Sequence, residues 1–146
     1  DIHVGNMVCQ QQELNEIISI CNGIEADAIA FTGDLVDIRY SELSDDVLER
    51  LARLKARDGI YSVTGNHDIG VYVKDSISLP PAVSVQKVIE AQRKIGWRVL
   101  EDETIHLRRG EDSISLTGIS FSPVLQEFRH SAKIPDYLHF LGQPLT

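Results

Sequence analysis

Three short segments carry residue types that can do chemistry together. Asp1-Ile2-His3 supplies a carboxylate and an imidazole two residues apart. In extended backbone, side chains at that spacing point to the same side, so both can reach one cation. Gly33-Asp34 adds a second carboxylate, whose two oxygens can bridge a pair of cations, beside a glycine that lets backbone come close. Gly65-Asn66-His67-Asp68 adds a neutral amide oxygen at Asn66, useful where more negative charge is unwanted, and an imidazole at His67. His67 could give a proton or a hydrogen bond to a phosphoryl oxygen or a leaving group. Carboxylate oxygens and imidazole nitrogens are the donors that hard or borderline divalent ions take. Each segment alone is commonplace; in this order, each at the end of an expected strand, they outline a two-cation site.

The elements that must position them follow from periodicity. Leu14, Ile17, Ile18 and Cys21 recur at i, i+3, i+4 and i+7, which predicts a helix stopped by Asn22-Gly23. Ala28–Thr32 is a short apolar run and reads as a strand buried on both faces, delivering Gly33-Asp34 at its carboxyl end. A second helix is expected from Ser41 or Ser44 to Lys55, with Ser44 as its cap and Val47, Leu48, Leu51 and Leu54 as its stripe. Ile60–Thr64 reads as the next strand and delivers Gly65 to Asp68. This β-α-β-α-β rhythm implies a mainly parallel sheet with right-handed crossovers, and such sheets gather ligands outside the carboxyl ends of their strands.

Ile69–Ser84, with Pro80-Pro81, is expected to be a long loop of the kind that is often functional. A helix from about Ser84 to Ile95 follows, with Val85, Val88 and Ile89 inward. Short strands are then expected at Trp97–Leu100, Thr104–Arg108 and Ser113–Thr117, the last two joined by a turn over Arg109–Asp112. The 146 residues suit one domain with a real core. A net charge of −8 counts against a nucleic-acid footprint, which needs a basic stripe, but not against a small anionic substrate held through cations. Cys9 and Cys21 are too few for a disulfide framework and are expected in or near the core. No apolar run of about 18 residues is present to span a membrane.

The segments Asp1-Ile2-His3-Val4-Gly5, Thr32-Gly33-Asp34-Leu35-Val36-Asp37 and Thr64-Gly65-Asn66-His67-Asp68 resemble the calcineurin-like metallophosphoesterase superfamily, and most of all its bacterial, often membrane-associated branch. The resemblance covers residues 1 to about 120. It implies an α/β architecture of the α+β sandwich type, a β-sandwich core flanked by helices with βαβ units. It also implies two divalent metal ions (Mn, Fe or Zn), with Asp1 and His3 on the first, Asp34 bridging and Asn66 on the second. His67 would assist at the phosphoryl group, and Asp68 would either orient His67 or cap its own loop.

The reaction so implied is hydrolysis of a phosphate mono- or diester by a hydroxide activated between two metals. The substrate would be a small molecule or lipid-linked. Cellular location is left open by the residues; the branch resembled is often attached to membranes. The family completes its site with a later His and a Gly-His-x-His segment that residues 1–146 do not match. His106, His130 and His139 lack the required neighbours. The expectation is a partial domain, with its first strand and later ligand segments outside this chain, inactive as a fragment. Two other readings use the same motifs: a metal-free scaffold that binds a protein partner, and a nuclease of the superfamily.

Overall fold

A computed structural model describes residues 1–73 and 79–121. Three strands, β1 (Ile29–Phe31), β2 (Ile60–Ser62) and β3 (Arg98–Val99), form a parallel sheet in the order β1-β2-β3. Ile29 pairs with Ile60 and Phe31 with Ser62; Tyr61 pairs with Arg98 and Ser62 with Val99. Helices α2 (Asp45–Leu51) and α3 (Pro81–Lys94) are the two crossovers, and α1 (Gln10–Gly23) precedes β1. Two longer strands, β4 (Thr104–Arg109) and β5 (Asp112–Thr117), make an antiparallel hairpin around Gly110. The α/β class and the β-α-β-α-β rhythm are as the periodicity implied.

Each helix is where its apolar stripe puts it. Leu14 and Ile18 of α1 are buried, and they meet Val47, Leu48 and Leu51 of α2 in a core that also holds Val88 of α3 and Trp97. Side chains alternate across β2: Ile60 joins that core, while Tyr61 and Val63 face the other side. There Ile105, Leu107 and Leu116 of the hairpin close over Tyr61, Val63 and Leu100 in a second cluster. Helices lie on one side of the parallel sheet and the hairpin on the other.

Several boundaries differ from expectation for local reasons. The α2 helix stops at Leu51 rather than Lys55, because the N–H groups of Arg53 and Leu54 turn back to Arg50 and Leu51, three residues earlier. Its cap is Ser44, whose hydroxyl accepts from Val47 N–H at 3.4 Å. The α3 helix starts at Pro81, three residues before Ser84, since proline is already set for the first helical position. β1 is not buried on both faces: Ala30 is exposed, and Ile29 and Phe31 are only half-buried. Cys9 is likewise exposed rather than near the core, and Cys21 is half-buried; both are free thiols. No helix of the described residues is long and apolar enough to cross a membrane.

Candidate metal centre

The loops that follow β1 and β2 touch through their glycines. A Cβ on Gly33 would stand 2.5 Å from the Gly65 nitrogen, and one on Gly65 would stand 2.2 Å from Asp34 Oδ1 and 2.5 Å from the Asp34 nitrogen. Only hydrogen at both positions allows this approach. Gly33 also has φ +97°, where glycine carries no steric penalty. Asp34 at φ 56° and His3 at φ 49° do carry one, and such conformations concentrate at functional sites.

Asp68 holds the two loops together. Its fully buried carboxylate accepts four backbone N–H groups: Leu35 at 2.9 Å and Val36 at 3.1 Å on Oδ1, Asp34 at 2.9 Å and Gly65 at 2.8 Å on Oδ2. Burial pushes the carboxyl above its ordinary pKa, the N–H groups of Gly65, Val36 and Leu35 pull it back, and the nearby Asp34 charge adds to the rise. Of the two roles expected for Asp68, orienting His67 and capping its loop, these hydrogen bonds are those of the cap.

The amino-terminal segment docks on the same loop. Ile2 and His3 donate their N–H groups to the Asp34 carbonyl at 3.0 and 3.1 Å, and Val4 donates to Leu35 at 3.0 Å. Asp1, His3 and Asp34 are thereby gathered, with one ligand-type atom from each within 4.8 Å of the others. Asp1 is exposed and His3 half-buried, while Asp34 is 8% exposed. Asp34 Oδ1 takes the His67 N–H at 2.8 Å, and its Oδ2 lies 4.0 Å from His3 Nε2.

A second group was not expected: His3, Asp37 and His67 also bring ligand-type atoms within 4.8 Å of one another. Asp37 Oδ1 is 3.3 Å from His3 Nδ1 and 4.0 Å from His67 Nδ1. No hydrogen bond forms across the first separation: His3 Nδ1 is buried with no hydrogen-bond partner. His67 Nδ1 meets the Asp37 main-chain carbonyl. A carbonyl only accepts, so that nitrogen carries the proton and Nε2 is the free end. Asp37 rides on a turn held by Glu42, whose carboxylate accepts the N–H groups of Asp37 at 2.6 Å, Ile38 at 2.9 Å and Arg39 at 3.0 Å. Glu42 passes so close over Gly5 that a Cβ there would lie 2.3 Å from its carboxyl carbon.

Asn66 stands at the rim, where its Nδ2 donates to the Tyr72 hydroxyl at 2.9 Å. The Tyr72 ring lies on the His67 imidazole with centroids 4.4 Å apart, and His3 meets His67 edge-on at 4.5 Å. Asp37 lay inside the Thr32–Asp37 segment and could have been read as a third acidic donor; nothing in the sequence marked Tyr72. His106 is an outward residue of β4 beside Ser115, away from this group. His130 and His139 lie outside the described residues.

A mixed set of carboxylate oxygens and an unpartnered, buried imidazole nitrogen fits a divalent cation. A cavity of about 700 Å³ opens elsewhere, at the amino ends of the strands beside Lys55, Ile60 and Trp97. It lacks such a donor set, so chemistry rather than volume locates the centre.

The calcineurin-like phosphoesterase profile matches residues 1–136. A transmembrane protein with a metallophosphoesterase domain from Danio rerio is 33% identical over 122 residues, covering 82% of this chain and 25% of its own length. A Caenorhabditis elegans protein named as a metallophosphoesterase is 35% identical over 68 residues, 47% of this chain and 14% of its own. The chain thus spans a quarter or less of these relatives. No solved structure matches it. With the profile spanning nearly the whole sequence, the chain belongs to the calcineurin-like phosphoesterase family.

Proposed function

We propose that this domain hydrolyses a phosphate mono- or diester with two divalent cations. Asp1, His3 and Asp34 would hold the first, and Asp34 and Asn66 the second. The observation that supports the reading is the convergence of Asp1, His3 and Asp34, one ligand-type atom from each within 4.8 Å of the others. Mixed nitrogen and oxygen ligation suits Mn, Fe or Zn. When bound, such a pair polarises the phosphoryl oxygens and lowers the pKa of water between them.

The chain's own residues do the rest. Asp34 would serve both proposed sites, and its backbone N–H and side chain are held by Asp68 and the His67 backbone N–H. His67 presents Nε2, and in its protonated form it can donate that proton to the departing oxygen. The Asp37 carbonyl fixes the ring's tautomer through Nδ1, and the Asp37 carboxylate lies 4.0 Å from the same nitrogen. The net charge of −8 favours a small or lipid-linked ester over a nucleic acid, and the membrane-spanning relative fits a role near a lipid surface in the full-length protein. The test is turnover of an aryl phosphate by the full-length protein after chelation and after Mn²⁺ is restored. Recovery of activity on restoring the ion is expected; activity indifferent to chelation overturns the reading.

A further inference from the structure

We propose that Tyr72 is a positioning residue that sets which end of the Asn66 amide faces the cation and how the His67 ring lies. This rests on the reading of Asn66 as a metal ligand. An amide binds a hard cation through its oxygen. Donating Nδ2 to the Tyr72 hydroxyl at 2.9 Å engages the nitrogen and leaves Oδ1 as the ligand end. The same side chain lays its ring on His67, 4.4 Å between centroids and tilted 31°. His3 meets the imidazole edge-on, and the Asp37 carbonyl holds Nδ1, so the ring is bounded by Tyr72, His3 and Asp37. Two adjacent site residues are thus held by two ends of one tyrosine.

The chain is shaped to bring Tyr72 back. Gly70 donates its N–H to the His67 carbonyl at 3.1 Å and takes φ +73°, a turn that glycine makes without strain. A Cβ there would stand 2.6 Å from Ser84 Oγ, so the turn is pressed against the first turn of α3. Tyr72 remains 41% exposed, which argues against core filling as its purpose.

The experiment titrates Mn²⁺ calorimetrically into the full-length protein and its Tyr72→Phe, Tyr72→Leu and Asn66→Ala variants, and follows kcat on aryl and alkyl phosphates. Tyr72→Phe loses only the hydroxyl. It is expected to weaken one Mn²⁺ site roughly three- to tenfold, the worth of one neutral hydrogen bond, and to leave the other site alone. Because the ring stays, its dependence on leaving group should match wild type. Tyr72→Leu should in addition lower kcat more for alkyl than for aryl phosphates, since His67 loses its support. If Asn66→Ala weakens one site and Tyr72→Phe does not, the role of Tyr72 is overturned while Asn66 stands. If Asn66→Ala leaves both sites at wild-type affinity, the metal reading of Asn66 fails, and this proposal with it. Should the leucine variant not fold, the phenylalanine variant decides.

Discussion

Asparagine in place of Asp68 should loosen the two site loops rather than act on the chemistry directly. Each carboxylate oxygen takes two backbone N–H groups, from Leu35 and Val36 on one side and from Asp34 and Gly65 on the other. An amide keeps one oxygen and turns an NH₂ group toward the other two donors, so two hydrogen bonds vanish and two buried N–H groups are orphaned. Hydrogen bonds to a charged acceptor are worth about 1.5–3 kcal/mol each, so the gross loss is about 3–6 kcal/mol. Against this, the neutral amide avoids the burial cost that raises the Asp68 carboxyl. A net loss of about 2–4 kcal/mol remains, a large share of the 5–15 kcal/mol that holds a typical domain together. Urea denaturation of wild type and Asp68→Asn measures it, alongside kcat/KM per folded molecule. A stability change under about 1 kcal/mol together with a large fall in kcat would refute the reasoning and restore Asp68 as a partner of His67.

Three further outcomes follow from the same geometry. Asp34→Asn in the full-length protein should abolish turnover and bound metal together, since one amide replaces a carboxylate shared by both proposed ions; metal analysis of the purified variant checks this. His67→Gln should retain its metal but lose roughly 10²–10⁴-fold in kcat, the range typical of acid–base groups, with smaller losses on aryl phosphates than on alkyl ones. Gly65→Ala should destabilise the protein by about 1–3 kcal/mol, measured by thermal melting, and weaken metal binding as well. Its methyl group would have to displace Asp34 itself, whose Oδ1 and backbone nitrogen lie within 2.5 Å of the added carbon.

Much of the scaffold was legible because its signals are local. The stripe Leu14, Ile18 and Cys21, the Ser44 cap, and the apolar runs before Gly33 and Gly65 each specify an element from a few neighbouring residues. The ends of α2 and α3 were less so. Whether Arg53 and Leu54 continue a helix or tighten it depends on how the chain must enter β2, which no short window records. The exposure of Ala30 and of Cys9 is equally a matter of what packs where.

In the site, residue types pointed to Asp1, His3 and Asp34, and the structure gathers those three. The duties of Asp37 and Asp68 were hidden by tertiary geometry. An aspartate after histidine reads equally well as the histidine's partner or as a loop cap; only contact between the Gly33 and Gly65 loops puts four N–H groups around Asp68. Asp37 reaches His3 and His67 because Glu42, arching over Gly5, folds its turn inward. Tyr72 returns to the site through the bend at Gly70, a long way round for any motif to describe.

In the proposed site Asp34 would lie between two cations, with Asp1 and His3 on one side and Asn66 on the other. Anomalous diffraction from crystals of the full-length protein grown with Mn²⁺ tests it most directly. Two peaks are expected, one bonded to Asp1, His3 and Asp34, the other to Asp34 and the Asn66 amide oxygen. A single peak, or a pair in which Asp34 touches neither ion, would contradict it.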